Sequence, residues 1–200
     1  MGDEQMKKMN LPNKLTVLRM VMVPILWAVY LCIPADAGIV SQEANLGLRN
    51  ILVLILFTVA SLTDMLDGQI ARKRNLITSF GKFLDPIADK MLVNTTLILL
   101  CFNHEASIIP VLIMIARDLI VDGLRLSAAS QGEVVSAGFS GKLKTVLQMV
   151  AIIMLLLHNW PFVYLNLPIS EFALWAAACV SVYSGWVYFD KLKDYVLETM

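Results

Sequence analysis

Long apolar runs alternate with short polar stretches along this chain, and the runs exceed what the core of a soluble protein needs. Leu15 to Ile33 is the first. At 1.5 Å per residue it covers the roughly 30 Å of bilayer hydrocarbon, and Pro24 should bend it. After a polar connection from Pro34 to Arg49, the run from Asn50 to Thr63 reaches full length only by continuing through acidic residues to Ile70. A third runs from Pro86 to Phe102, with Pro86 in the first helical turn and Asp85 at the N-cap. Ser107 to Ala129 is the fourth, Ser130 to Ser140 a loop, Leu143 to Leu157 the fifth, and Phe172 to Phe189 the sixth.

This pattern predicts an all-α fold, an integral membrane bundle of six transmembrane helices in one domain over residues 1–200. Residues 1–14 form its cytosolic or interfacial N-terminal segment and 190–200 its cytosolic tail. Within the first, Asp3 to Asn13 has a short apolar stripe suited to an interfacial amphipathic helix that Pro12 would end.

Composition agrees with a membrane protein, since 58% hydrophobic residues leave too few polar ones to cover a soluble globule of 200 residues. Sixteen Lys and Arg balance 16 Asp and Glu, so no basic face argues for nucleic acid. The basic residues cluster in the N-terminal segment, the loop between the second and third runs, the junction of the fourth and fifth, and the tail. The opposite loops hold only Arg49. By the positive-inside rule both termini and the acidic stretch are cytoplasmic, in a multi-pass protein of the cell membrane. Cys32, Cys101 and Cys179 are widely spaced and read as packing residues. The N-terminus is too charged for a signal peptide, and Met6 stands where a myristoylation signal needs Ser or Thr.

The chemistry concentrates where the second run ends and the third begins. Asp64 and Asp67 are three residues apart, Asp85 and Asp89 four apart, so each pair shares a helical face. Four carboxylates without His or Cys form a hard oxygen set that favours Mg²⁺ or Mn²⁺. Gly68, Ala71 and Gly81 either admit a nucleotide to the helix surface or allow close helix packing. Arg19, one turn into the first run, either snorkels to the headgroups or serves the site. The charges Arg117, Asp118, Asp122 and Arg125 require the fourth helix to turn that face toward protein or water.

The spacing Asp64-x2-Asp67-Gly68-x2-Ala71-Arg72-x8-Gly81-x3-Asp85-x3-Asp89 resembles the complete signature of the CDP-alcohol phosphatidyltransferase family. Further likeness, to the family's bacterial phosphatidylglycerophosphate synthase branch, covers most of residues 10–145. It lies in Asn10-Leu-Pro-Asn13-Lys-Leu-Thr16-x2-Arg19, Leu84 to Lys90, Ala116-Arg117-Asp118-x4-Gly123-x-Arg125 and Gly141-Lys142-x-Lys144-Thr145. Asp118 departs from the Glu of much of that branch, and Asp122 is also unusual.

The resemblance implies a six-span, homodimeric enzyme that moves a phosphatidyl group from CDP-diacylglycerol to an alcohol with two divalent metal ions, Mg²⁺ or Mn²⁺. Asp64, Asp67, Asp85 and Asp89 are then the metal ligands and Asp89 also the general base. Gly68, Ala71, Arg72 and Gly81, with Asn13 and Thr16, would bind the CDP moiety. The implied acceptor is glycerol 3-phosphate, its phosphate held by Arg117, Arg125 and Lys142; Arg117 has the alternative of pairing with Asp118 or Asp122. Lys73, Arg74 and Lys144 read as headgroup contacts. Competing readings are inositol phosphate as acceptor and, from another class, a divalent-cation transporter, which would spread its acids through the depth of the bundle.

Overall fold

A computed structural model of the protein describes residues 10–73, 78–132 and 138–197. Among these, the regular structure is six α-helices and one 3-10 turn: α1 Leu11–Cys32, α2 Leu48–Lys73, α3 Ser79–Phe102, α4 Ile108–Ser130, α5 Phe139–Leu156, the turn Phe162–Leu165, and α6 Ile169–Leu197. The all-α expectation holds. Three stretches, Pro12–Cys32, Phe139–Leu156 and Ile169–Lys193, are long and apolar enough to cross a membrane by length and composition.

Several boundaries differ from the expected ones, each for a local reason. Pro12 begins α1 instead of ending an earlier helix, because proline in the first turn gives up an N–H that would have no partner there. The expected amphipathic helix before it falls mainly on residues 1–9, outside the described residues. Helix α3 starts at Ser79, so Asp85 and Pro86 are interior to it. Thr78 takes the N-cap role expected of Asp85: its hydroxyl accepts the Gly81 N–H at 3.0 Å. Helix α6 runs through the stretch expected to be a polar tail. Its buried stripe, Ser181, Ser184, Tyr188 and Leu192, keeps helical spacing past the last apolar run, while Asp190 and Lys193 pair at 2.8 Å on an exposed face.

The chain forms two compact units, one of residues up to Ile39 with Gly47–Thr96, the other of Val40–Leu46 with the residues from Leu97 onward. In the first unit α1 packs along α2. The inner stripe of α1 is polar at its start, with Asn13, Thr16 and Arg19, and apolar further on, with Val23, Leu26 and Tyr30; all six are buried. Leu18, Val21 and Ile25 form the opposite, exposed face, apolar as lipid contact requires. In the second unit α4 and α5 both pack on α6, and Val121, Leu124 and Ala128 of α4 meet Tyr188 and Leu192 of α6. The loop Val40–Leu46 is closed by a bridge between Ser41 and Leu46. Beside it the Tyr164 hydroxyl is hydrogen-bonded to Glu43, which holds its pKa above the ordinary phenol value.

The Thr78 cap yields a stability test. Thr78→Ala should lower stability by about 1 kcal/mol, the usual worth of an N-cap hydroxyl. Thr78→Ser, which keeps the oxygen, should melt close to the parent. Thermal unfolding in detergent, followed by circular dichroism, measures both.

Candidate active site

The first unit assembles its polar groups on the inner stripe of α1, where Asn13, Thr16 and Arg19 recur every three residues and face one direction. Each reaches a different partner. The Thr78 hydroxyl donates to Asn13 Oδ1 at 2.8 Å, which ties the start of α1 to the cap of α3. Thr16 Oγ1 lies 2.6 Å from Asp85 Oδ1 and 3.1 Å from the Pro12 carbonyl. The short distance to the carboxylate is that of a charge-assisted bond. One turn on, the Arg19 guanidinium forms an ion pair with Asp64 Oδ1.

This pairing overturns the snorkelling option for Arg19. Its side chain is 0% exposed. A long stem carries its charge to the headgroups when no counter-charge lies nearer; here Asp64 supplies one, and pairing in place avoids leaving a guanidinium buried alone.

Gly81 sits where α3 approaches α1. A Cβ there would come 3.0 Å from Asn13 Oδ1 and 3.3 Å from Thr78 Oγ1, with Asp85 Oδ2 at 3.8 Å. The room left by the missing side chain is therefore lined by protein oxygens, as close helix packing requires.

Thus Asn13, Thr16, Asp64, Gly81 and Asp85 all meet the α1 stripe or its partners, and half-buried Asp89 follows Asp85 by one turn of α3. Asp67, Gly68, Ala71 and Arg72 lie on α2 with their side chains outside the described residues. Among the described residues no three carboxylate, His or Cys side chains gather as a group able to hold an ion. The donor chemistry nevertheless fits a hard divalent cation: Asp64 and Asp85 are oxygen donors, each held through Oδ1 from the same helix face.

The second unit contains a separate charge network. Arg117 Nη1 lies 3.0 Å from Asp118 Oδ1, Nε donates to the Ser181 carbonyl at 3.1 Å and Nη2 to Ser184 Oγ at 2.7 Å. The guanidinium also lies over the Tyr188 ring, 5.7 Å from its centroid. Lys144 Nζ reaches both oxygens of Asp118, at 2.9 and 2.6 Å. Of the two readings of Arg117, pairing with Asp118 is present. Lys144, expected as a headgroup contact, is buried instead, because Asp118 offers it a bidentate anion inside the unit. Arg125 and Lys142 are exposed, so the three cations expected around an acceptor phosphate are not presented alike. Ser181 and Gly185 face Arg117: a Cβ on Gly185 would lie 3.0 Å from Arg117 Cγ.

Thr78, Ser184, Tyr188 and Lys144 of these networks were not singled out as functional from sequence. Thr78 had a signal, a Thr just ahead of the helix that includes Gly81, hidden by starting α3 at its proline. Lys144 reads from sequence as a headgroup contact, with nothing to mark it as buried.

The sequence profile of CDP-alcohol phosphatidyltransferase matches residues 9–183. The chain belongs to the CDP-alcohol phosphatidyltransferase family. Within it, the chain is 45% identical over 183 residues to the CDP-diacylglycerol--glycerol-3-phosphate 3-phosphatidyltransferase of Bacillus subtilis (strain 168), covering 91% of this chain and 94% of that one. It is 40% identical over 188 residues to the like-named protein of Rickettsia bellii (strain RML369-C), covering 93% and 97%. A more distant relative, CDP-diacylglycerol--glycerol-3-phosphate 3-phosphatidyltransferase 2 of Arabidopsis thaliana, is 34% identical over 206 residues, with 96% and 83% covered. As a CDP-alcohol phosphatidyltransferase the chain is an enzyme, and its long apolar helices are those of a membrane protein.

The network in the second unit should be costly to break. Asp118→Asn leaves Arg117 and Lys144 without their shared carboxylate and should destabilise the protein by about 3 kcal/mol. Asp118→Leu combined with Lys144→Met removes the buried Lys144 charge together with the carboxylate and should recover the part of that loss due to Lys144, while Arg117 keeps only its bonds to the Ser181 carbonyl and Ser184. Denaturant unfolding of the detergent-solubilised variants checks both.

Proposed function

We propose that this protein transfers the phosphatidyl group of CDP-diacylglycerol to sn-glycerol 3-phosphate, releasing CMP and phosphatidylglycerophosphate. The observation that carries the proposal is the pairing of Asp85 with Thr16 and Asp64 with Arg19 along one helix face, in a chain whose relatives bear the name of that reaction. Residues 1–200 act as a single family domain of six spans in the cell membrane, with both termini and the acids on the cytoplasmic side, and the protein works as a homodimer. The excess of Lys and Arg on one set of loops supports that orientation.

Enzymes of this family generally use divalent metals. Two ions, Mg²⁺ or Mn²⁺, held by Asp64, Asp67, Asp85 and Asp89, would neutralise the donor diphosphate and the charge on departing CMP. Gly68, Ala71, Arg72 and Gly81, with Asn13 and Thr16, receive the cytidine diphosphate while the acyl chains stay in lipid. Thr16 orients Asp85 toward that site, and Arg19 orients Asp64.

Asp89 takes the proton from the 1-hydroxyl of glycerol 3-phosphate. The freed oxygen forms a bond to the phosphorus that carries diacylglycerol, and the bond from that phosphorus to the CMP oxygen breaks. Arg117, Arg125 and Lys142 supply positive charge for the acceptor phosphate. Arg117 does so from a position fixed by Asp118 and Ser184, the other two from exposed ones.

Two measurements test the reaction and its acceptor. Mg²⁺-dependent CMP release from CDP-diacylglycerol should require glycerol 3-phosphate, and Asp89→Asn should lower kcat roughly a hundredfold or more. Absence of release by the parent protein would remove the enzyme reading and favour a cation path through the acids. In competition between acceptors, preference for inositol phosphate would reassign the substrate within the family.

A further inference from the structure

Arg19 is a permanent cation, fully buried, set against an acid of the site it does not itself complete. Its partner is not buried alike: the Arg19 side chain is 0% exposed and that of Asp64 35%. The guanidinium therefore lies behind the carboxylate, on the protein side, and the carboxylate is the outward member of the pair. Among the described contacts Arg19 engages Asp64 through Oδ1. Thr16, one turn earlier on the same stripe, engages Asp85 also through Oδ1, at 2.6 Å. Helix α1 thus grips two signature acids by one oxygen each, one with a neutral hydroxyl and one with a full charge.

A full charge is an unusual choice for that place. A cation a few ångströms from a carboxylate opposes the binding of a second cation there. A neutral donor such as the threonine beside it would orient the acid without that penalty. The guanidinium adds a charge that cannot lose its proton, carried on a rigid planar fork that a lysine would not supply.

We infer that Arg19 is a positioning residue of the metal site. It holds Asp64 from the protein side by Oδ1, and would trade affinity for a divalent ion against a fixed placing of that carboxylate. The inference rests on the reading of Asp64 as a metal ligand.

Two properties then respond in opposite directions when the charge is removed, which mere loosening of the fold would not produce. Full-length protein in detergent, titrated with Mn²⁺ and followed by the paramagnetic resonance of the free ion, reports affinity without turnover; CMP release on the same samples reports kcat. Arg19→Gln should bind Mn²⁺ at least about fivefold more tightly, because the opposing charge is gone, while kcat falls roughly tenfold or more. Arg19→Lys, which keeps the charge and loses the fork, should keep Mn²⁺ affinity within about twofold and still lose at least about threefold in kcat.

Equal or weaker Mn²⁺ binding by Arg19→Gln overturns the inference, as does parental kcat in Arg19→Lys. If Arg19→Gln does not fold, the lysine variant decides alone by the same two values. A parent protein with no saturable Mn²⁺ binding removes the metal reading and this inference together, whereas saturable binding with the affinity of Arg19→Gln unchanged removes only the inference.

Discussion

A charged side chain inside a helix that faces hydrocarbon must find its counter-charge within the protein, and in this chain that requirement sets which helices touch and where. Arg19 meets it against Asp64, which fixes the register of α1 on α2. Once that register is set, Thr16 falls beside Asp85 and Asn13 beside Thr78, because the three residues share a stripe. In the apolar half of the same stripe Val23 and Leu26 fill space, and the buried Arg49 guanidinium lies over the Tyr30 ring, 4.5 Å from its centroid. The paired polar groups of this stripe supply specificity, while the hydrocarbon-like remainder supplies contact area.

The second unit solves the same problem with an anion at the centre. Asp118 stands between Arg117 and Lys144, and α6 offers a carbonyl, a hydroxyl and an aromatic face to the guanidinium. The small residues of α6 make that possible, since Gly185 leaves the space that the Arg117 stem occupies. Helix packing and charge burial are here one contact: the gap that lets α4 approach α6 is filled by the side chain that needs a partner. Asp118 in place of a longer acid suits this, since both its oxygens reach Lys144 while one also meets the adjacent Arg117.

Much of this was legible in the sequence. The apolar runs located all six helices, and the spacing of the acids, with Asn13 and Thr16, located the polar network of the first unit. What stayed hidden had physical reasons. Helix ends were drawn where apolar residues stop, yet α3 begins in a polar stretch capped by Thr78, and α6 continues through polar residues because Leu192 keeps its buried stripe going. Arg19 and Arg117 were ambiguous, and Lys144 read as a headgroup contact, because a basic residue near a membrane surface has two outlets, water or a buried acid, and only the fold shows which is nearer. Lys142 reads as an acceptor-phosphate contact and Lys144 as a headgroup contact, yet it is Lys142 that is exposed and Lys144 that is buried.

The interior position of Pro86 has a mechanical side. Having no N–H, it withholds the hydrogen bond that the carbonyl four residues earlier would receive in an unbroken helix. A rod with one rung missing yields at that rung more readily than elsewhere. Asp85 stands just before that missing rung and Asp89 one turn beyond it, so the two carboxylates sit on a stretch of α3 that lacks one of its backbone bonds.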